Sequence, residues 1–191
     1  MTDVSTIAAD LAAEHAALDT VVAALDAEQW ATPTPSPGWA VRDQIGHLTY
    51  FDHAAATAIT DEAAFSASIE PMLADMDGTT LHRHLSPEEL LAAWRDGRER
   101  LLAVAVSLEP SRRIPWYGPP MSARSFLTAR LMETWAHGQD VVDAVGAQRA
   151  ATDRLRHICQ IGHLTRGWTY VNRGEEPPAA DVRLELTAPS G

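Results

Sequence analysis

The chain has 191 residues, 46% of them hydrophobic: enough apolar material for one domain with a packed core, and too much for a disordered chain. A formal net charge of -11 and a pI near 5.0 argue against wrapping nucleic acid or adhering to an anionic membrane. The single cysteine, Cys159, excludes an intramolecular disulfide and a cysteine-based zinc knuckle, and reads as a small buried hydrophobe.

Helical periodicity starts at Val4 and continues to Ala27, with Ile7, Leu11, Leu18, Val22 and Leu25 on one stripe and Asp3 or Ser5 as the cap. Thr32 to Gly38 holds three prolines and predicts a stiff connector. A second helix is predicted from about Val41 to Thr60; His47 and Phe51 lie at the margin of its apolar stripe, and Asp52 falls inside it. Residues 61–85 are polar and mixed, with room for short helical turns around Ile69 to Met76. Ser86-Pro87-Glu88-Glu89 is a capping box that opens a third helix running to about Ser107. Arg113 to Met121 reads as a rigid, aromatic loop.

Ser122 caps a fourth helix that reaches about Val145, where Gly146 stops it. A fifth is predicted over about 153–171. Asp181 to Thr187 alternates as a half-buried strand does, and is expected to begin a second domain that the chain lacks. The fold class expected is all-α: an antiparallel four-helix bundle with an additional helix and a short C-terminal strand. Residues 1–176 form the bundle, and 177–191 form a linker and the strand. The N-terminus lacks a basic region followed by an apolar stretch, and no run of about 18 apolar residues exists, so a cytoplasmic protein is expected.

Glu133 and His137, four apart on the fourth helix, project side by side, and Asp140 joins their face with Arg130 and Phe126 at its border. An ordinary amphipathic helix with a wet polar side accounts for that pattern equally well. With His47, however, the chain offers two imidazoles and a carboxylate, the ligand set of an open metal site.

The segment Pro37-Gly38-Trp39-Ala40-Val41-Arg42-Asp43-Gln44-Ile45-Gly46-His47-Leu48, followed about ninety residues later by Glu133-Thr134-Trp135-Ala136-His137-Gly138-Gln139-Asp140, resembles the DinB/YfiT-like metalloenzyme superfamily. More narrowly, it resembles the branch holding mycothiol-dependent maleylpyruvate isomerases and related actinobacterial metal-binding proteins of unassigned activity. Pro115 to Ser122 with Arg130 to Glu133 is similar to that second group in particular. The resemblance implies a DinB-like bundle with a divalent metal, commonly zinc, held by His47, Glu133 and His137. That branch usually continues into a C-terminal domain.

Two neutral imidazoles and a carboxylate leave zinc with net positive charge and an open position. Such an ion acidifies bound water, stabilises a thiolate or polarises a carbonyl. Non-haem iron enzymes use the same ligands, so zinc is expected by resemblance only. Arg130 and Asp140 are the candidate catalytic groups. Arg130 either binds a substrate carboxylate or pairs with Glu133 or Asp140. Asp140 is either an acceptor for a ligand N–H or a solvated carboxylate. Asp52 is either a base near the site or half of a buried pair with an arginine. Trp116, Tyr117, Met121 and Arg166 are the candidate substrate-binding residues.

The function expected is a metal-dependent isomerase or S-transferase with mycothiol as its thiol. The alternatives are a thiol-independent metal-dependent isomerase, lyase or hydrolase, and a non-catalytic metal- or small-molecule-binding bundle. The partners expected are a small-molecule substrate and, in a homodimer, a second copy of the chain, with neither nucleic acid nor membrane among them.

Overall fold

A computed structural model describes residues 3–191, which cluster into two compact units, one ending at Gln148 and one beginning at Arg149. The first holds α1 (Val4–Val22), α2 (Ala27–Trp30), α3 (Val41–Thr60), α4 (Glu62–Ala74), α5 (Met76–Thr80), α6 (Pro87–Ala105) and α7 (Ala123–Val145). An antiparallel ladder of β1 (Arg113–Ile114) and β2 (Met121–Ser122) lies between α6 and α7 in sequence, in the register Arg113 to Ser122 and Ile114 to Met121. The second unit holds α8 (Leu155–Leu164) and α9 (Arg166–Asn172). Among the described residues, no helix is long and apolar enough to cross a membrane.

Local chemistry sets the helix ends. The Ser86 hydroxyl accepts from Glu89 N while Glu89 Oε2 accepts from Ser86 N, with Pro87 at the first turn of α6. The Ser122 hydroxyl accepts from Ser125 N to open α7. Gly146 closes it at φ 66°, a left-handed conformation that a side chain disfavours. α1 stops at Val22 rather than Ala27, because Asp26 is captured as the cap of a new helix: its carboxylate accepts from Gln29 N at 2.8 Å, and the Gln29 side chain returns the bond to Asp26 N. The Asp61 and Asp75 carboxylates accept from Ala64 N and Gly78 N to cap α4 and α5, so residues 61–85 are more helical than their mixed composition predicts.

The four long helices pack in a ring: α1 against α7, α7 against α3, α3 against α6, and α6 against α1. Leu18, Val22, Val41, Ile45, Leu48, Leu90, Trp94 and Val141 fill one core cluster within it. Fully burying one such aliphatic side chain stabilises by roughly 1.5–3 kcal/mol, more than any difference in helix propensity among ordinary residues, so packing decides where the helices lie. Gly46 permits one close approach. A Cβ there would lie 2.1 Å from the carbonyl oxygen of Leu81, so α3 rests directly on the backbone that follows α5.

Three further expectations need correction. The fifth helix is two, α8 and α9, broken at Thr165, whose hydroxyl turns back onto the Ile161 carbonyl at 2.8 Å. Residues 181–187 form no strand. Among the described residues no neighbouring strand completes their ladder, and Leu184 and Leu186 stay exposed. Cys159 is only half-buried.

Candidate metal centre

α3 presents His47 and α7 presents Glu133 and His137, and the packing of these two helices makes one cluster of them. One donor atom from each lies within 4.8 Å of the others. Oε2 of Glu133 is 3.7 Å from Nε2 of His47 and 3.2 Å from Nε2 of His137. The three side chains are largely but not wholly covered, at 17%, 33% and 18% exposure for His47, Glu133 and His137. Burial would push the Glu133 carboxyl up, but the His137 and His47 rings beside it, with the Arg130 charge, hold it below the usual carboxylate range. Burial is also the main reason that the His47 imidazole is pushed down, only partly offset by Glu133.

The other nitrogen of His137 is already committed. Nδ1 lies 2.5 Å from Oε1 of Gln44, a side chain with no solvent exposure on α3. Gln44 is locked in turn, its Nε2 donating to Oδ2 of Asp140 at 3.0 Å and to the Thr34 hydroxyl at 2.9 Å. The Ser36 hydroxyl donates to that same Asp140 oxygen at 2.6 Å. The Trp39 ring stacks over His137 at 5.8 Å and lies 5.2 Å from the His47 ring. The proline-rich connector is therefore a wall of the site as well as a link.

Beside the cluster is a cavity of about 260 Å³, at the lower edge of the roughly 300–1,000 Å³ typical of ligand pockets. His47, Phe51, Trp116, Met121, Phe126 and Arg130 line it, with Glu133 at its edge. Trp116 and Met121, two of the candidate substrate-binding residues, are thus part of its lining. Tyr117 stands behind that wall, packed on Phe51, Phe65 and Trp116, and burial pushes its phenol pKa up. Arg166 belongs to the second unit, where it lines a cavity with Tyr170, Val182 and Leu184.

Arg130 reaches the cavity wall but pairs with neither Glu133 nor Asp140. Its Nη2 donates to Oδ1 of Asp52 at 2.8 Å, both side chains almost wholly buried. Oδ2 of Asp52 accepts from the Trp94 indole at 3.3 Å and lies 3.4 Å from the His15 imidazole. Burial would raise the Asp52 carboxyl, yet Arg130 and His15 more than reverse it and hold it at about 2. Asp140, read from the sequence as either an acceptor for a ligand N–H or a solvated carboxylate, accepts from the Gln44 amide and the Ser36 hydroxyl. Gln44, Thr34, Ser36 and Trp39 are the contributors that the sequence reading passes over. The only sequence signal is that Gln44 stands one helical turn before His47, so both face α7.

The family model described as the mycothiol maleylpyruvate isomerase N-terminal domain matches residues 11–142. Two Mycobacterium tuberculosis proteins, MT0041 and Rv0036c, both described as uncharacterized, are each 47% identical to this chain over 196 residues, covering 100% of it and 76% of their own length. Among solved structures, a histidine-to-alanine mutant of the mycothiol-dependent maleylpyruvate isomerase aligns with a TM-score of 0.73, and the unmutated enzyme with 0.69. Each alignment covers 91% of this chain and 73% of the other at 15% identity, a likeness of fold.

Proposed function

Since this chain belongs to the mycothiol maleylpyruvate isomerase N-terminal domain family, we propose that it is a metal-dependent enzyme acting on a small electrophile, an isomerase or S-transferase with mycothiol as the thiol. We read its ring of four long helices as an antiparallel bundle. His47, Glu133 and His137 would hold the divalent cation, with zinc the first choice for a donor set of two imidazoles and a carboxylate.

One observation carries the proposal. The contact between Nε2 of His137 and Oε2 of Glu133 sets two acceptors 3.2 Å apart, because the imidazole proton is already given to Gln44 on the other side of the ring. Such a contact is attractive only with a cation or a proton between the two atoms. His47 turns a third donor atom toward the same place.

A divalent metal there would supply Lewis acidity, lowering the pKa of a bound thiol or polarising a carbonyl. The chain's own residues do the rest. Glu133 cancels one of the two metal charges, so the site keeps a net attraction for one anion. Trp39 and Phe51 flank the imidazoles and exclude water. Trp116 and Met121 give the substrate an apolar wall, and Arg130, held by Asp52, faces its anionic part. Asp140 acts through Gln44 and touches no reactant.

Metal analysis of the purified chain beside His137→Ala tests the cluster, and turnover of maleylpyruvate with and without mycothiol tests the chemistry. Near-stoichiometric zinc in the first protein and little in the second, with thiol-dependent turnover, is the expected result. Metal-dependent turnover without thiol would select an isomerase, lyase or hydrolase working through bound water. Tight metal binding with no turnover would leave a binding protein.

A further inference from the structure

We propose that Gln44 is a positioning residue that sets the tautomer of His137, and that Asp140 sets the orientation of Gln44. This inference rests on reading His47, Glu133 and His137 as a metal site.

The polarity of the chain of hydrogen bonds fixes the direction of the Gln44 amide. The Asp140 carboxylate only accepts, so what faces it at 3.0 Å must be the NH₂ end of the Gln44 amide. The Thr34 hydroxyl spends its one proton on the Trp39 carbonyl at 3.0 Å, so it too receives from Gln44 Nε2. Both amide protons are then used, and the amide oxygen must face His137. An acceptor 2.5 Å from Nδ1 requires the proton on Nδ1, which in the neutral imidazole leaves the lone pair on Nε2 aimed at Glu133. Gln44 is fully buried, so no water substitutes for a missing partner.

The orientation of one carboxamide thus decides whether His137 is a ligand. If the amide turned over, its NH₂ would face Nδ1, the imidazole proton would move to Nε2, and the donor atom would be lost. Removing a partner that orients a metal-bound histidine typically weakens metal binding by about 10–100-fold.

The test exploits direction. Gln44→Leu removes the acceptor and is expected to weaken zinc binding by about 10–100-fold. Asp140→Asn touches no ligand, yet it can present NH₂ as well as oxygen to Gln44, so the amide is no longer held in one direction and part of that affinity is expected to be lost. The double variant Gln44→Glu/Asp140→Asn keeps the summed charge of the pair. It restores an oxygen to His137 and gives the asparagine NH₂ an acceptor, so affinity is expected to return close to that of the original chain.

Zinc affinity is read by competition with a chromophoric chelator on the full chain. The histidine ¹⁵N spectrum of metal-free protein reports the tautomer directly, expected as Nδ1–H in the original chain and in the double variant, and shifted toward Nε2–H in Asp140→Asn. The absorption spectrum of the cobalt-loaded proteins reports the ligand set. An Asp140→Asn variant that binds zinc as tightly as the original, or a double variant no better than Asp140→Asn, overturns the proposal. If the original chain itself binds no zinc, the metal reading falls first. If it loads fully and every variant matches it, only the positioning role is lost.

Discussion

Asp52→Asn changes the charge of a deeply buried ion pair while keeping its shape. Asp52 has no exposure and Arg130 almost none, and the carboxylate serves Arg130, Trp94 and His15 together. Neutralising it strands the guanidinium, and breaking a buried pair from one side costs about 3–5 kcal/mol. A second figure comes from proton linkage. Holding this carboxyl at about 2, against 3.8 in the unfolded chain, corresponds to about 2 kcal/mol. The deletion figure is larger because it includes the stranded Arg130, whereas protonation is measured against the intact site. The folded pKa is the lower one, so this stability is fully present above the unfolded pKa and is lost as pH falls from about 4 toward 2. Urea unfolding at neutral pH should therefore show the midpoint of Asp52→Asn lowered by roughly 1.5–2.5 M, for a slope of about 2 kcal/mol per M. The gap between the two proteins should narrow by about 1–2 kcal/mol between pH of about 6 and about 2.5, because the variant has no carboxyl to protonate. A midpoint shift of less than about 0.3 M, or a gap that is the same at both pH values, would refute the account of the pair.

Two other outcomes follow from the same coordinates. Gly46→Ala places a methyl group 2.1 Å from a backbone oxygen of Leu81, which cannot rotate away; the melting temperature should fall as for a loss of about 1–3 kcal/mol, and zinc affinity should fall with it because His47 is the next residue. An unchanged melt would show that the Leu81 backbone yields freely. Adding zinc at about 1,000 times its dissociation constant should stabilise the chain by about 4 kcal/mol and raise its melting temperature by roughly 10 °C, with no such rise in His137→Ala. Equal shifts in both proteins would place the bound ion elsewhere.

Helix boundaries are legible where a cap made by neighbouring residues coincides with the edge of an apolar stripe. Ser86 with Glu89, and Ser122 with Gly146, act through bonds spanning three or four residues, and these stand where the pattern puts them. The Asp26 and Gln29 box carries the same signal but lies inside a continuing apolar stripe, so periodicity extends the first helix too far. The alternation at 181–187 misled for the opposite reason. Period-two patterning reports a strand only where another strand supplies the ladder, and none does so among the described residues.

The residue types able to bind a metal, and the two helices that carry them, were set by the order of amino acids alone, because periodicity and capping are local. The pairing of those groups was decided by how α3 lies on α7. That packing brings His47 to Glu133, sends Arg130 to Asp52 rather than to Glu133 or Asp140, and inserts Gln44 between His137 and Asp140. Partners separated by 78 to 96 positions meet only when apolar burial has fixed the two helices against each other, and no spacing rule reaches that far.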